Sequence, residues 1–120
     1  MKALLLIAHG SRREASNDEI RAVTAKLAVA AGNRFDHVQC GFLELAEPSI
    51  PDGIEECIDA GATAIVVMPY FLAAGRHVEK DIPALVQSKV EQHPDVAINI
   101  STYLGASAQI PQLLLSLLED

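Results

Sequence analysis

The sequence predicts an α/β domain with a four-stranded parallel sheet, strand order 2-1-3-4, and helices on both faces. Three observations lead there. The runs Leu4-Leu5-Leu6-Ile7-Ala8 and Ile65-Val66-Val67-Met68 are continuously apolar, the pattern of strands buried on both faces. The segments between strands carry apolar residues at helical spacing and end at a glycine or at His93-Pro94. Strand and helix alternate four times, which implies parallel pairing through right-handed crossovers.

The first strand covers residues 3–8. Residues 14–31 then place Ile20, Val23, Leu27, Ala30 and Ala31 on one helical face, and Gly32 ends that helix. The second strand covers residues 37–43, with Val38, Cys40, Phe42 and Leu45 marking apolar positions. Pro48-Ser49-Ile50-Pro51 opens a second helix, where Ser49 with Asp52 resembles a cap. Its expected buried stripe is Ile54, Cys57, Ile58 and Gly61, and Gly61 closes it. The third strand covers residues 64–69. Asp81 is expected to cap the third helix, with Pro83 in its first turn and Ile82, Leu85, Val86 and Val90 inward. The fourth strand covers residues 96–100. The last helix is expected over residues 108–118, with Ile110, Leu113, Leu114, Leu117 and Leu118 on one stripe. The strand order is that of the first part of a flavodoxin-like sheet.

Composition narrows the class. The 120 residues fit one domain, residues 1–120, with no repeat or linker, and half of them are hydrophobic. A chain this short buries only about two-thirds of its unfolded surface, so a dimer would help it. The net charge of −7 argues against nucleic acid or an anionic membrane as partner. Cys40 and Cys57 lack metal-ligand spacing and read as reduced core residues of a cytoplasmic protein. The apolar start superficially resembles a signal peptide, but it is short and runs into His9 and two arginines rather than a cleavage site. No stretch approaches the ~20 apolar residues of a membrane span.

Chemistry is expected where strands one and three, neighbours in the sheet, send their connections to opposite faces. That switch point opens a crevice beyond the carboxyl ends of the strands. His9 follows strand one, His77 follows strand three, and Glu44 ends strand two. Neighbouring strands lie ~4.8 Å apart, so both imidazoles could reach one small atom. Two histidines and a carboxylate suit Co²⁺, Fe²⁺, Ni²⁺ or Zn²⁺, and a histidine could equally accept a proton. The bland readings are a loop histidine bonded to backbone, a solvent-facing Glu44, and Glu79 and Asp81 as helix-starting charges. Arg12, Arg13, Arg76 and Lys80 sit in or beside the two histidine loops, as binding cations or as ordinary surface charges. His37 and His93 lie at the opposite edge and read as structural or solvated. Gly10 and Gly75 fit positive φ or close approach of a ligand. Ser11 is no nucleophile elbow, because G-x-S-x-G is absent. No phosphate-binding glycine motif is present, which argues against nucleotide dependence.

The segments LLLIAHGSRREASN (4–17), FLELAEPSIPDGIEE (42–56) and VVMPYFLAAGRHVEKDIP (66–83) resemble the short sirohydrochlorin chelatases, of the class II chelatase group. The resemblance spans nearly the whole chain in order. It implies ATP-independent insertion of cobalt, with iron next and nickel third, into sirohydrochlorin for cobalamin, siroheme or a nickel tetrapyrrole. It implies no cofactor beyond the substrate metal. His9 and His77 match the family's metal-handling histidines, and Glu44 matches its acidic partner. Larger relatives have two such domains around one cleft, so a single-domain chain implies a homodimer that rebuilds it. The His-rich loop of some short forms is absent. Arg12, Arg13, Arg76 and Lys80 would meet the macrocycle's carboxylates, and Tyr70, Phe71 and Leu72 its flat face.

Three other readings compete. A histidine phosphatase or mutase also places His-Gly after its first strand, but it needs an arginine immediately before that histidine, and here Ala8 stands there. A non-catalytic carrier of metal or tetrapyrrole would need the same ligands. A structural flavodoxin-like domain would leave the histidines incidental.

Overall fold

The computed structural model describes residues 1–118 and contains each expected strand and helix. They run β1 (Lys2–Ala8), α1 (Glu14–Ala31), β2 (His37–Phe42), α2 (Ile50–Asp59), β3 (Ala64–Pro69), α3 (Ile82–Gln92), β4 (Ala97–Ile100) and α4 (Ile110–Leu115). A π turn, His77–Asp81, leads into α3. All pairings are parallel, in the order β2-β1-β3-β4 expected of the first part of a flavodoxin-like sheet.

Register sorts the strand residues onto two faces. Ala3, Leu5 and Ile7 lie opposite Ile65, Val67 and Pro69. Most of this face joins Ile50, Ile54 and Cys57 of α2 and Ile82 and Val86 of α3 in the main core. On the reverse face Leu6, Ala8, Cys40 and Phe42 receive Ile20, Val23 and Leu27 of α1. Both cysteines are buried and free, as expected, and burial pushes the Cys57 thiol up to about 11.

Helix ends follow local chemistry. Ser49 Oγ accepts from the Asp52 N–H at 3.2 Å, the cap expected for α2. Gly61 closes that helix at φ 111° but is exposed, so it lies outside the buried stripe. Gly53 takes that place: a Cβ there would stand 3.1 Å from Leu5 Cδ1.

Two expectations fail. β3 is not buried on both sides: Ile65, Val67 and Pro69 are covered, whereas Ala64, Val66 and Met68 are half-buried. The cause is that α1 packs on β2 and on Leu6 and Ala8 of β1, whereas Met68 borders an open hollow lined also by Tyr70, Tyr103 and Leu104. The last helix spans Ile110–Leu115 rather than 108–118. Leu113, Leu114, Leu117 and Leu118 are 52–73% exposed. α4 has no side-chain cap and packs on the short 3₁₀ turn Leu104–Ala106, which leaves most of its leucines open, and helices this short are marginal on propensity.

Candidate active site

β1 and β2 keep pairing past their formal ends. The Leu43 N–H donates to the Ala8 carbonyl at 2.9 Å, and the Glu44 N–H to the His9 carbonyl at 3.0 Å. Parallel register therefore sets Glu44 beside His9. Gly10 permits this closeness: its φ is +94°, and a Cβ would lie 1.7 Å from the Glu44 carbonyl oxygen. His9 Nε2 and Glu44 Oε1 are 2.8 Å apart, with the carboxylate accepting.

His77 comes from the β3–α3 connection and opens the π turn. The Ile82 N–H donates to the His77 carbonyl, five residues back. Such turns are rare and concentrate at functional sites. Across this turn His77 Nδ1 meets Asp81 Oδ2 at 2.8 Å. Asp81 was expected to cap α3, and it makes no side-chain cap bond. The π turn runs directly into α3, so no free helix start is left beside Asp81, and its carboxylate turns to the imidazole. The sequence signal was the His-x-x-x-Asp spacing, which puts both side chains on one helical face.

The two imidazole centroids are 5.0 Å apart at an interplanar angle of 72°. His9 and His77 are 45% and 43% exposed, so both rings reach solvent. Each ring has one nitrogen tied to a carboxylate, which fixes its orientation and tautomer. The other nitrogen, Nδ1 of His9 or Nε2 of His77, has no hydrogen-bond partner among the described residues. Such nitrogens can bind one ion or take up protons. No group of three or more His, Cys, Asp and Glu forms a metal cluster among the described residues. Two imidazoles alone leave coordination positions open, as suits an ion that is passed on rather than kept.

A hollow of about 480 Å³ lies to one side, lined by Glu44, His77, Asp81, Leu85 and Ser88 among others. On the other side a hollow of about 370 Å³ is lined by His9, Gly10, Ser11, Ile20, Tyr70 and Leu72 among others. Tyr70 and Phe71 are half-buried against the two core clusters, and Leu72 is exposed. Arg12, Arg13, Arg76 and Lys80 are exposed, and their side chains have no ion pair or hydrogen bond among the described residues. Gly75 has no positive φ, and nothing stands within 4 Å of a Cβ built there, so its own backbone needs no glycine. His37 and His93 are structural: they bond Gln39 and Glu55, each at 2.6 Å, away from the crevice.

The profile of the CbiX family matches residues 3–120. The chain belongs to the CbiX family. The sirohydrochlorin cobaltochelatase of Methanococcus maripaludis is 44% identical over 86 residues, 72% of this chain and 58% of that protein. That of Sulfurisphaera tokodaii is 31% identical over 120 residues, the whole of this chain and 93% of that protein. Other curated relatives are named sirohydrochlorin ferrochelatase. The crystal structure of the sirohydrochlorin chelatase SirB from Bacillus subtilis subspecies spizizenii, in complex with cobalt, superposes with TM-score 0.85 at 29% identity. It covers 96% of this CbiX-family chain, which spans 48% of SirB. The α/β sheet and its 2-1-3-4 order are thus those of the chelatase fold.

Proposed function

We propose that this CbiX-family chain inserts a divalent metal ion, cobalt favoured and iron next, into sirohydrochlorin without ATP. The product serves cobalamin or siroheme biosynthesis. The observation that carries the reading is the pair of carboxylate-held imidazoles 5.0 Å apart at the sheet edge. The names of the relatives supply the substrate class.

The chemistry suits the groups present. Metallation requires the ion to shed ligands and two pyrrole N–H protons to leave the macrocycle. His9 Nδ1 and His77 Nε2 are the two acceptors. One lone pair cannot hold an ion and a proton together, so releasing the ion and taking a proton are an exchange at the same nitrogen. Glu44 and Asp81 hold the opposite ring nitrogens and stabilise each imidazolium as it forms. Arg12, Arg13, Arg76 and Lys80 offer local positive charge to a carboxylate-rich ligand despite the net charge of −7. Gly10 keeps the backbone low beside His9, and the open space at Gly75 lets a flat ligand approach.

A homodimer belongs to the same reading. Half of the reverse sheet face and the α4 leucines lack cover among the described residues, and a second copy would also enclose the exposed histidine pair. The cytoplasm is the proposed location; among the described residues no helix is long and apolar enough to cross a membrane.

The test is anaerobic mixing of protein and sirohydrochlorin with Co²⁺, Fe²⁺ or Ni²⁺, followed by absorbance. Metallation faster than in the protein-free control is expected, with cobalt ahead. Macrocycle binding with no acceleration by any ion would make the chain a carrier. Neither binding nor acceleration would leave the fold alone.

A further inference from the structure

We propose that Asn17 is a positioning residue for His9: its amide clamps the Ser11 backbone and so holds the turn that presents the imidazole to Glu44 and His77. This role rests on the chelatase reading for its rate effect, though not for its geometry.

Asn17 lies in the first turns of α1 and is 1% exposed. Its Oδ1 accepts from the Ser11 N–H at 3.0 Å, and its Nδ2 donates to the Ser11 carbonyl at 2.8 Å. Both ends of one side chain thus hold both backbone polar groups of one residue. A buried amide is tolerated only when paired, and asparagine is a weak helix former. Helix capping does not explain the residue: it is inside the helix, reaches back six positions, and α1 has no side-chain cap.

The clamp completes a chain of supports. Ile20, Val23 and Leu27 pack α1 against the sheet. Asn17 then fixes Ser11, and Gly10 between Ser11 and His9 sits against the Glu44 carbonyl. On its other side Ala8 is held through its carbonyl by the Leu43 N–H, and the His9 carbonyl itself accepts from the Glu44 N–H. His9 is therefore fastened on both sides, and losing Asn17 frees one of them. Only an amide fits, because the clamp needs one acceptor and one donor; aspartate accepts only, and alanine does neither.

The experiment compares Asn17→Ala and Asn17→Asp with Thr24→Val. Thr24 is also buried on α1, and its hydroxyl donates to the Ile20 carbonyl at 2.7 Å, away from the loop. Histidine ring-nitrogen NMR shifts are recorded without metal or macrocycle, and metallation of sirohydrochlorin by Co²⁺ is timed well below each melting temperature. In both Asn17 variants His9 is expected to lose the fixed Nε2–H tautomer signature while His77 keeps its own. Their kcat should fall about 10- to 100-fold with KM changed less than about two-fold, since orientation rather than binding is lost. Thr24→Val should lose stability only. The proposal is overturned if His9 signals and kcat in the folded Asn17 variants match those of Thr24→Val. Failure of both Asn17 variants to fold would also overturn it, making Asn17 a structural residue. If the wild type does not metallate at all, the chelatase reading fails and the His9 signature alone decides the positioning role.

Discussion

Each site histidine is 2.8 Å from its own carboxylate, so neither ring can turn without breaking a bond. Asp81→Asn keeps the shape and removes the charge that stabilises a protonated ring. Steady-state metallation should fall about 10- to 100-fold while the melting temperature stays nearly constant. An unchanged rate would return Asp81 to a structural role. The closeness of His9, Glu44 and His77 was legible in the sequence, because the expected strand order puts the connections after strands one, two and three at one edge of the sheet. Asp81 was not legible: an acidic residue two positions before Pro83 imitates a cap, and a π turn has no composition signal. Asn17 stood inside a quoted motif without a role, because a clamp on backbone six residues away leaves no periodic trace.

At the scale of elements, loop geometry and helix–helix ties set stability. Gly10 joins β1 to its loop at φ +94° with the Glu44 carbonyl against it. Gly10→Ala is expected to cost at least about 1–3 kcal/mol, from strain alone, in chemical denaturation. Glu55 links α2 to α3 through Lys89 Nζ at 2.8 Å and His93 Nε2 at 2.6 Å. Lys89 first, then His93, holds its carboxyl below the ordinary value of 4.5. A lowered folded pKa contributes stability that is present above about 4.5 and lost as pH falls through the folded value. Glu55→Gln should therefore melt lower than wild type near neutral pH, and the gap should close in acid. A gap that stays constant with pH would remove the ion pairs as its cause. The β3 and α4 differences have one root: apolar runs report that a side chain is hydrophobic, not which neighbour covers it.

For the whole molecule, the uncovered leucines and half-open sheet face carry the dimer proposal. Sedimentation equilibrium should give twice the chain mass, and Leu114→Lys with Leu117→Lys should shift it toward the monomer. A wild-type monomer at every concentration would contradict the dimer and leave the histidine pair to act within one chain. The fold was readable almost entirely, because a parallel four-strand alternation admits few topologies. Assembly was not, because an exposed stripe and a buried one have the same sequence.

The most direct test of the central claim, that His9 and His77 act together on one metallation, is single-turnover insertion of Co²⁺ into sirohydrochlorin. Wild type, His9→Ala, His77→Ala and the double variant are compared as folded proteins. Because the two rings share one site, each single variant should lose nearly as much rate as the double. Single losses that multiply to give the double, or a full rate in either single variant, would contradict a shared centre.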